Sequence, residues 1–154
     1  VGAFLNGYHA DAARTFAVGK ISAEAQKLID VTRECFFLGA QQAVEGNRIG
    51  DIGFAVSSHA EKHGYGVVRE LVGHGVGRNL HEEPDVPNFG NSGRGQRLKN
   101  GMVIAIEPMI NAGTREVDFD TEDGWTVRTR DRALSAHYEN TVAITPDGPI
   151  FLTE

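Results

Sequence analysis

The apolar run Met102–Ile106 constrains the fold more than any other segment of this 154-residue chain. Five consecutive apolar residues are typical of a strand that is covered on both faces, because a strand with one wet face alternates between apolar and polar residues. The run is far too short to cross a bilayer, which takes about 20 apolar residues in a helix. The sequence therefore predicts a central, buried strand.

The order of the remaining segments predicts an α+β fold. Residues 1–18 have the pattern of a β-hairpin around Asn6-Gly7, a dipeptide that favours a type I′ turn. Two helical patterns follow, one from a Ser22 N-cap to Gly46 and one over residues 51–63. Further segments typical of strands are 125–129, 133–144 and 150–152. Because helices and strands are segregated along the chain, we expect helices packed against one antiparallel sheet.

Composition excludes several classes of partner. A net charge of -6, from 15 basic and 21 acidic residues, argues against direct binding of nucleic acid. No segment is apolar enough to predict a membrane span. The single Cys35 cannot close an intrachain disulfide and no leader-like pattern opens the chain, so we expect a cytoplasmic location.

Glycines flank His74 in the segment Gly73–Gly77 and predict a functional histidine. Glycines let the backbone approach a neighbour closely and adopt φ values that other residues avoid. A dinucleotide-binding loop does not fit, because the glycine spacing differs and no helix start follows. A turn histidine is the alternative for His74. For His81, contact with a substrate and simple hydrogen bonding are both open.

Three acidic residues stand where strands would bury them. Glu107 ends the apolar run, Glu139 lies within a predicted strand, and Asp11 lies within another among alanines. An unpaired buried carboxylate is costly, and a bound cation would offset that cost. A buried ion pair with an arginine is the alternative for Glu107. Taken together with His74, the three acids predict one cation site.

The types of these side chains predict the chemistry of the site. Carboxylate oxygens with a single imidazole suit Mn²⁺, Fe²⁺ or Co²⁺ at least as well as Zn²⁺, and one cysteine cannot build a thiolate zinc site. Such cations activate water for attack on a carbonyl, so the predicted reaction class is metal-assisted hydrolysis.

Other clusters of polar residues have simpler interpretations. His59 and His63 are four apart on a predicted helix, but the metalloprotease motif needs a glutamate next to the first histidine, which is absent. We expect both to be packing or surface residues. The acidic residues within 118–123 predict a solvated turn, and the arginines within 128–132 predict a salt-bridged strand edge.

Three segments carry a resemblance to a known family: GHGVGRNLHEEP at 73–84, IEPMIN at 106–111 and GWTVRTRDRALSAHYENT at 124–141. The sequence resembles the type I, bacterial-type methionine aminopeptidases over essentially its whole length. The resemblance implies a pita-bread fold and an enzyme that removes the N-terminal methionine from nascent polypeptides by attack of metal-activated water. The implied partner is therefore a peptide or nascent-chain N-terminus.

The resemblance also implies a set of metal ligands. Carried over onto this sequence, Asp11 and Glu139 bridge two divalent ions, and His74 and Glu107 complete the coordination of one of them. Glu107 is also implied to accept a proton from the attacking water.

Three further residues are implied to contact the substrate. His81 resembles the histidine beside the scissile amide, and Trp125 resembles a residue near the methionine pocket. Leu80 stands where an aromatic residue is common, which predicts an altered pocket.

The sequence departs from the family pattern at its start, where a further aspartate ligand would precede Val1. We therefore expect residues 1–154 to form a catalytic domain that is incomplete at its N-terminus and that binds one ion better than two. The chain alone is expected to be weakly active or inactive, with a separate N-terminal portion as a partner. Two alternatives stay open: an X-Pro-directed peptidase of the same fold, and a non-catalytic pita-bread binding module.

Overall fold

The computed structural model describes residues 1–153. Its helices are α1 Ala23–Ala40 and α2 Ile49–Lys62. Its strands are β1 Gly2–Leu5, β2 Tyr8–Ala13, β3 Gly66–Val67, β4 Gly73–Gly75, β5 Glu82–Val86, β6 Val103–Ile106, β7 Met109–Asn111, β8 Val117–Phe119, β9 Val127–Thr129, β10 Ser135–His137, β11 Glu139–Thr145 and β12 Gly148–Phe151. Within the described residues, neither helix is both long enough and apolar enough to cross a membrane.

The main sheet has seven strands in the order β1-β2-β11-β6-β4-β5, with β12 also paired to β11. All of its pairings are antiparallel. A three-stranded sheet, β10-β7-β3, and a two-stranded ribbon, β8-β9, complete the β structure of residues 1–153. The predicted α+β class with an antiparallel sheet is confirmed.

The predicted hairpin forms at the start of the chain. Asn6 and Gly7 have φ values of 51° and 86°, as a type I′ turn requires. The second strand ends at Ala13, before the predicted limit of residue 18. It ends there because its partner β11 begins at Glu139, opposite Ala13, so no neighbour remains to pair with later residues.

Both predicted helices form, with different ends. The Ser22 hydroxyl accepts a hydrogen bond from the Ala25 N–H and caps α1, as expected. The helix ends at Ala40 rather than Gly46, because the next amides bond to carbonyls two or three residues back in successive turns. At the contact with α2, a Cβ on Gly39 would lie 2.7 Å from the Val56 side chain, so glycine permits close packing there.

The core lies between the helical pair and the sheets. One apolar cluster joins the first helix to the main sheet through residues such as Phe36, Ile104 and Ile144. A second cluster joins both helices to the three-stranded sheet through residues such as Cys35 and Ile110. The helices thus cover the sheets from one side, and β6 is buried over Ile104 to Ile106 as its apolar run predicts.

The predicted long strand over 133–144 is wrong, because the segment forms two strands in different sheets. Strand β10 pairs with β7, whereas β11 pairs with β2, β6 and β12. The chain crosses between the sheets at Tyr138. The Tyr138 ring packs 5.0 Å from the Phe36 ring, and the Arg14 guanidinium lies 4.0 Å above it. Because the Tyr138 ring is held by these contacts, the chain changes sheets at this residue and does not continue as one strand.

Candidate metal centre

Neighbouring strands of the main sheet bring the four predicted ligands together. Asp11 lies on β2 and Glu139 begins β11, and these strands pair. Glu107 directly follows β6, which pairs with the other edge of β11, and His74 lies on β4, which pairs with β6. Residues far apart in sequence therefore meet on adjacent strands.

The donor atoms of these residues form two overlapping groups. One donor atom from each of Asp11, His74 and Glu139 lies within 4.8 Å of the others, and the same holds for Glu107, His137 and Glu139. The two groups share Glu139. Glu107 lies between the histidines, with its Oε1 3.5 Å from His74 Nε2 and its Oε2 3.5 Å from His137 Nε2.

Glu139 is a buried carboxyl group that makes no salt bridge within 4.0 Å among residues 1–153. Its residue surface is 4% exposed, and its Oε1 has no hydrogen-bond partner among the described residues. The pKa of Glu139 is raised from 4.5 to about 8, first by burial and then by the nearby carboxylates of Glu107 and Asp11. Arg14 donates to the backbone carbonyl of Glu139 and to Asn140 Oδ1, so its guanidinium is engaged beside the carboxylate rather than on it.

The neighbours of Glu107 do not include an arginine. Its recorded charge partners in residues 1–153 are His74 and His137, so the predicted alternative of a buried arginine pair is wrong. His137 Nε2 is also buried without a hydrogen-bond partner in this part of the chain. The carboxylate of Glu139 and the imidazole of His137 thus each have a buried donor atom without a partner. A divalent cation bound between them would satisfy both groups.

The imidazole of His74 has a fixed orientation. Its Nδ1 lies 2.9 Å from the Gly75 carbonyl oxygen, and this oxygen accepts a hydrogen bond from Nδ1–H. Because the proton is on Nδ1, the lone pair of Nε2 is free to bind a metal ion. His74 Nε2 is the atom that faces Glu107. The backbone therefore selects the tautomer that a metal ligand needs.

The glycines beside His74 are required by close packing of strands. A Cβ on Gly73 would collide with the carbonyl oxygen of Ala105, and one on Gly75 with that of Glu83. Neither glycine has the positive φ that the sequence also suggested. The unusual φ predicted for these glycines is wrong. The structure shows close approach to neighbouring strands, and close approach to a ligand of His74 stays a prediction.

A threonine holds the backbone of Asp11 in register. The hydroxyl of Thr141 accepts from the Asp11 N–H at 2.8 Å and donates to the Asp11 carbonyl at 2.9 Å. The Asp11 carboxylate is part-buried and lies 3.6 Å from the Val1 ammonium group.

The predicted substrate residues are placed differently from one another. The exposed His81 ring centroid lies 4.2 Å from that of His74, so this histidine borders the centre. Leu80 is half-buried and packs beside Gly2 of the first strand. Trp125 is 88% exposed in the turn between β8 and β9, so the described chain gives its indole little packing. Its place near a methionine pocket stays a prediction.

His137 is the residue of this centre that sequence reasoning missed as a ligand. The signal was present, because His137 stands two residues before Glu139 and an extended chain turns such residues to the same side. The histidine falls at the end of β10 and the glutamate at the start of β11, yet their donor atoms belong to one group.

Comparison with known proteins decides the family. The sequence pattern of metallopeptidase family M24 matches residues 1–146. The chain belongs to this metallopeptidase family. The buried cluster of carboxylates and imidazoles is thus found in a family whose members are metal-dependent peptidases.

The similar proteins include several methionine aminopeptidases. The chain is 58% identical over 152 residues to the methionine aminopeptidase of Clostridium acetobutylicum, covering 99% of this chain and 60% of that protein. The crystal structure of methionine aminopeptidase from Rickettsia prowazekii superposes with a TM-score of 0.98 at 42% identity, covering 99% of this chain and 62% of that one. The resemblance to methionine aminopeptidases is confirmed.

The fold extends to a more distant branch of peptidases. The prolidase from Pyrococcus furiosus superposes with a TM-score of 0.77 at 27% identity, over 99% of this chain and 39% of the prolidase. The pita-bread fold expected from the resemblance is confirmed by these neighbours. The chain spans about 60% of the length of the methionine aminopeptidases named above.

Proposed function

We propose that this chain holds a divalent cation and acts in the removal of N-terminal methionine from peptides and nascent polypeptides. Identity of 58% to a methionine aminopeptidase over 99% of the chain supports this choice of substrate. Identity to the prolidase is 27%, which makes an X-Pro substrate the weaker candidate. The observation that carries the proposal is the convergence of Asp11, His74, Glu107 and Glu139 on one buried place.

Those four residues are the proposed ligands of the cation, and Mn²⁺, Fe²⁺, Co²⁺ or Zn²⁺ suits their donor atoms. When bound, the cation supplies the Lewis acidity that brings the pKa of water toward neutrality and polarises a carbonyl. The carboxylates of Asp11 and Glu139 neutralise its charge, and the fixed Nε2 of His74 completes the set. We propose that one ion binds more tightly than a second.

Glu107 and His81 are the proposed catalytic residues. The carboxylate of Glu107 is part-buried between two imidazoles, where it can take a proton from the attacking water and pass it to the leaving amine. His81 is exposed beside His74 and can hydrogen-bond to the scissile amide. Leu80 and Trp125 are the proposed contacts of the methionine side chain.

Hydrolysis of a Met-Ala-Ser peptide in the presence of Mn²⁺ or Co²⁺ tests the proposal. We expect weak cleavage by the chain alone and stronger cleavage when the N-terminal part of a full-length relative is added as a separate piece. The Glu107→Gln variant should lose this activity, and the Ser58→Ala variant, altered on the exposed surface of α2, should keep it. Cleavage of X-Pro dipeptides in preference to Met-Ala-Ser would contradict the proposed substrate. No cleavage by the mixed pieces would favour the non-catalytic binding module.

A further inference from the structure

A second cluster of metal-ligating side chains lies on the helices rather than on the sheet. Glu34 lies on α1, His59 lies on α2, and His63 is the C-cap residue of α2. One donor atom from each lies within 4.8 Å of the other two. None of the three belongs to the centre described above, so the proposed peptidase function leaves this cluster without a role.

The contacts of the cluster are specific. His59 Nε2 lies 2.7 Å from Glu34 Oε2, which fixes the carboxylate of one helix against the imidazole of the other. The rings of His59 and His63 have centroids 4.8 Å apart and meet at 65°, because residues four apart share one face of a helix. On its other side the His63 ring stacks at 24° on Tyr65, with centroids 6.4 Å apart. Neighbours therefore limit the rotation of both rings.

The surroundings permit a cation to enter. The side chain of Glu34 is 56% exposed and that of His59 is 20% exposed, so the donor atoms can be reached from solvent. Arg33, the basic neighbour of Glu34 in sequence, places its guanidinium over the Phe37 ring, 5.2 Å from the centroid. The glutamate thus remains available as the anionic ligand.

The ligand set favours zinc. Two imidazoles and one carboxylate, with a fourth position open to water, form one of the recognised three-ligand zinc sets. Tetrahedral zinc with bonds of about 2.0–2.1 Å places its ligand atoms roughly 3.3 Å apart. Every pair of donor atoms lies within 4.8 Å, so rotation of the exposed Glu34 side chain and small adjustments of the two half-buried rings would reach this spacing. A set richer in imidazole than the strand-borne centre also prefers Zn²⁺ to Mn²⁺.

We propose that Glu34, His59 and His63 bind one Zn²⁺ ion and so link α1 to α2. From the sequence, the metalloprotease motif did not fit, because it requires a glutamate next to His59 on the same helix, and both histidines were expected to be packing or surface residues. The fold supplies the carboxylate from the other helix instead. Zinc bound to the native pair stabilises the folded chain, since an unfolded chain does not hold the three donors together.

Titration of the full chain with Zn²⁺, followed by NMR of its six histidine side chains, tests the proposal. The histidines divide by place: His59 and His63 on the helical cluster, His74, His81 and His137 at the centre, and His9 on β2, two residues before Asp11. We expect the imidazole signals of His59 and His63 to shift together, with saturation as one Zn²⁺ binds at the helical cluster. Unshifted His59 and His63 signals at saturating Zn²⁺ would overturn the proposal.

Two variants separate metal binding from the hydrogen bond alone. His63→Ala removes a ligand but leaves the bond between His59 and Glu34, and Glu34→Gln keeps a hydrogen-bonding group but removes the anionic ligand. Each should weaken Zn²⁺ at His59 by at least ~10-fold, the smallest loss typical even for an outer partner of a metal site. The His9→Ala control should bind as the wild type does.

Thermal melts in EDTA and in Zn²⁺ provide the second readout. Zinc should raise the melting temperature of wild type more than that of either variant, and the melts in EDTA show whether a variant has lost stability by itself. The proposal is wrong if both variants retain the full affinity at His59, or if both retain the full zinc-dependent rise in melting temperature.

Discussion

At the scale of the residue, Glu139 is a carboxyl group held almost entirely out of water, with 4% of its surface exposed. Burial and two neighbouring carboxylates raise its pKa from 4.5 to about 8. In the metal-free chain the folded state therefore binds this proton more tightly than the unfolded state does. The stability that the protonated group contributes is fully present below pH 4.5, and it is lost as pH rises through about 8.

This pH dependence is the first prediction. In EDTA, the contribution of Glu139 to the free energy of unfolding should fall between pH 4.5 and about 8, and Glu139→Gln should abolish that part of the fall. Urea denaturation at several pH values measures it. The exposed Glu83→Gln variant is the control and should follow the wild type. Equal slopes for wild type and Glu139→Gln over this range would contradict the account.

The second prediction at this scale concerns His137. Its buried, unpartnered Nε2 lies 3.5 Å from Glu107 and within the donor group of Glu139. We expect His137→Ala to lower the affinity for Co²⁺ by about 10–100-fold, as loss of a ligand or of the group that orients one does. Calorimetric titration measures the change against a Ser58→Ala control, altered on the exposed surface of α2. Unchanged affinity would exclude His137 from the centre.

At the scale of the element, α2 approaches the loop that follows β5 so closely that neither Gly50 nor Gly53 has room for a side chain. A Cβ on Gly53 would collide with the carbonyl oxygen of Phe89 and lie 2.6 Å from that of Pro87. Both obstacles are backbone atoms, which cannot rotate away as a side chain can. The helix surface at Gly53 is therefore shaped by the loop that covers it.

Replacement of this glycine is the third prediction. Alanine is the better helix former by up to about 1 kcal/mol, so propensity alone would stabilise Gly53→Ala. Overpacking should outweigh that gain and destabilise the fold by about 1–3 kcal/mol. The exposed Ser58→Ala variant on the same helix should lack this penalty. Chemical denaturation compares the two, and a Gly53→Ala variant as stable as wild type would show that the loop yields.

The elements also show what sequence patterns can and cannot predict. The type I′ turn at Asn6-Gly7 and the Ser22 cap depend on local chemistry, and both were predicted. The break between β10 and β11 depends on Tyr138 packing against Phe36 and Arg14, which are distant in sequence. A periodic pattern contains no such contact, so one strand was predicted where two form.

The residues of the candidate centre also divide into those that local sequence predicts and those that depend on contacts between distant segments. Asp11, Glu107 and Glu139 could be proposed as ligands from sequence because a carboxylate in a buried strand needs compensation. His137 was missed because its role depends on where two sheets meet. The carboxylate of Glu34 beside His59 depends likewise on how two helices pack.

At the scale of the whole molecule, one sheet brings several carboxylates close together, and repulsion between them destabilises the folded chain unless another charge compensates it. Adjacent strands β2, β11, β6 and β4 each bring one ligand, while their apolar residues form the core against α1. The neighbouring carboxylates repel one another in the folded chain, and a bound cation would offset that repulsion. We propose that this sheet binds one divalent ion.

Titration with Mn²⁺, with free Mn²⁺ measured by electron paramagnetic resonance, tests that claim most directly. The wild-type chain should take up one tightly bound ion, Glu139→Gln should lose that binding, and His63→Ala on the helices should keep it. Failure of the wild-type chain to bind Mn²⁺, or binding that survives in Glu139→Gln, would contradict the claim. Two equally tight ions would contradict the proposed preference for one.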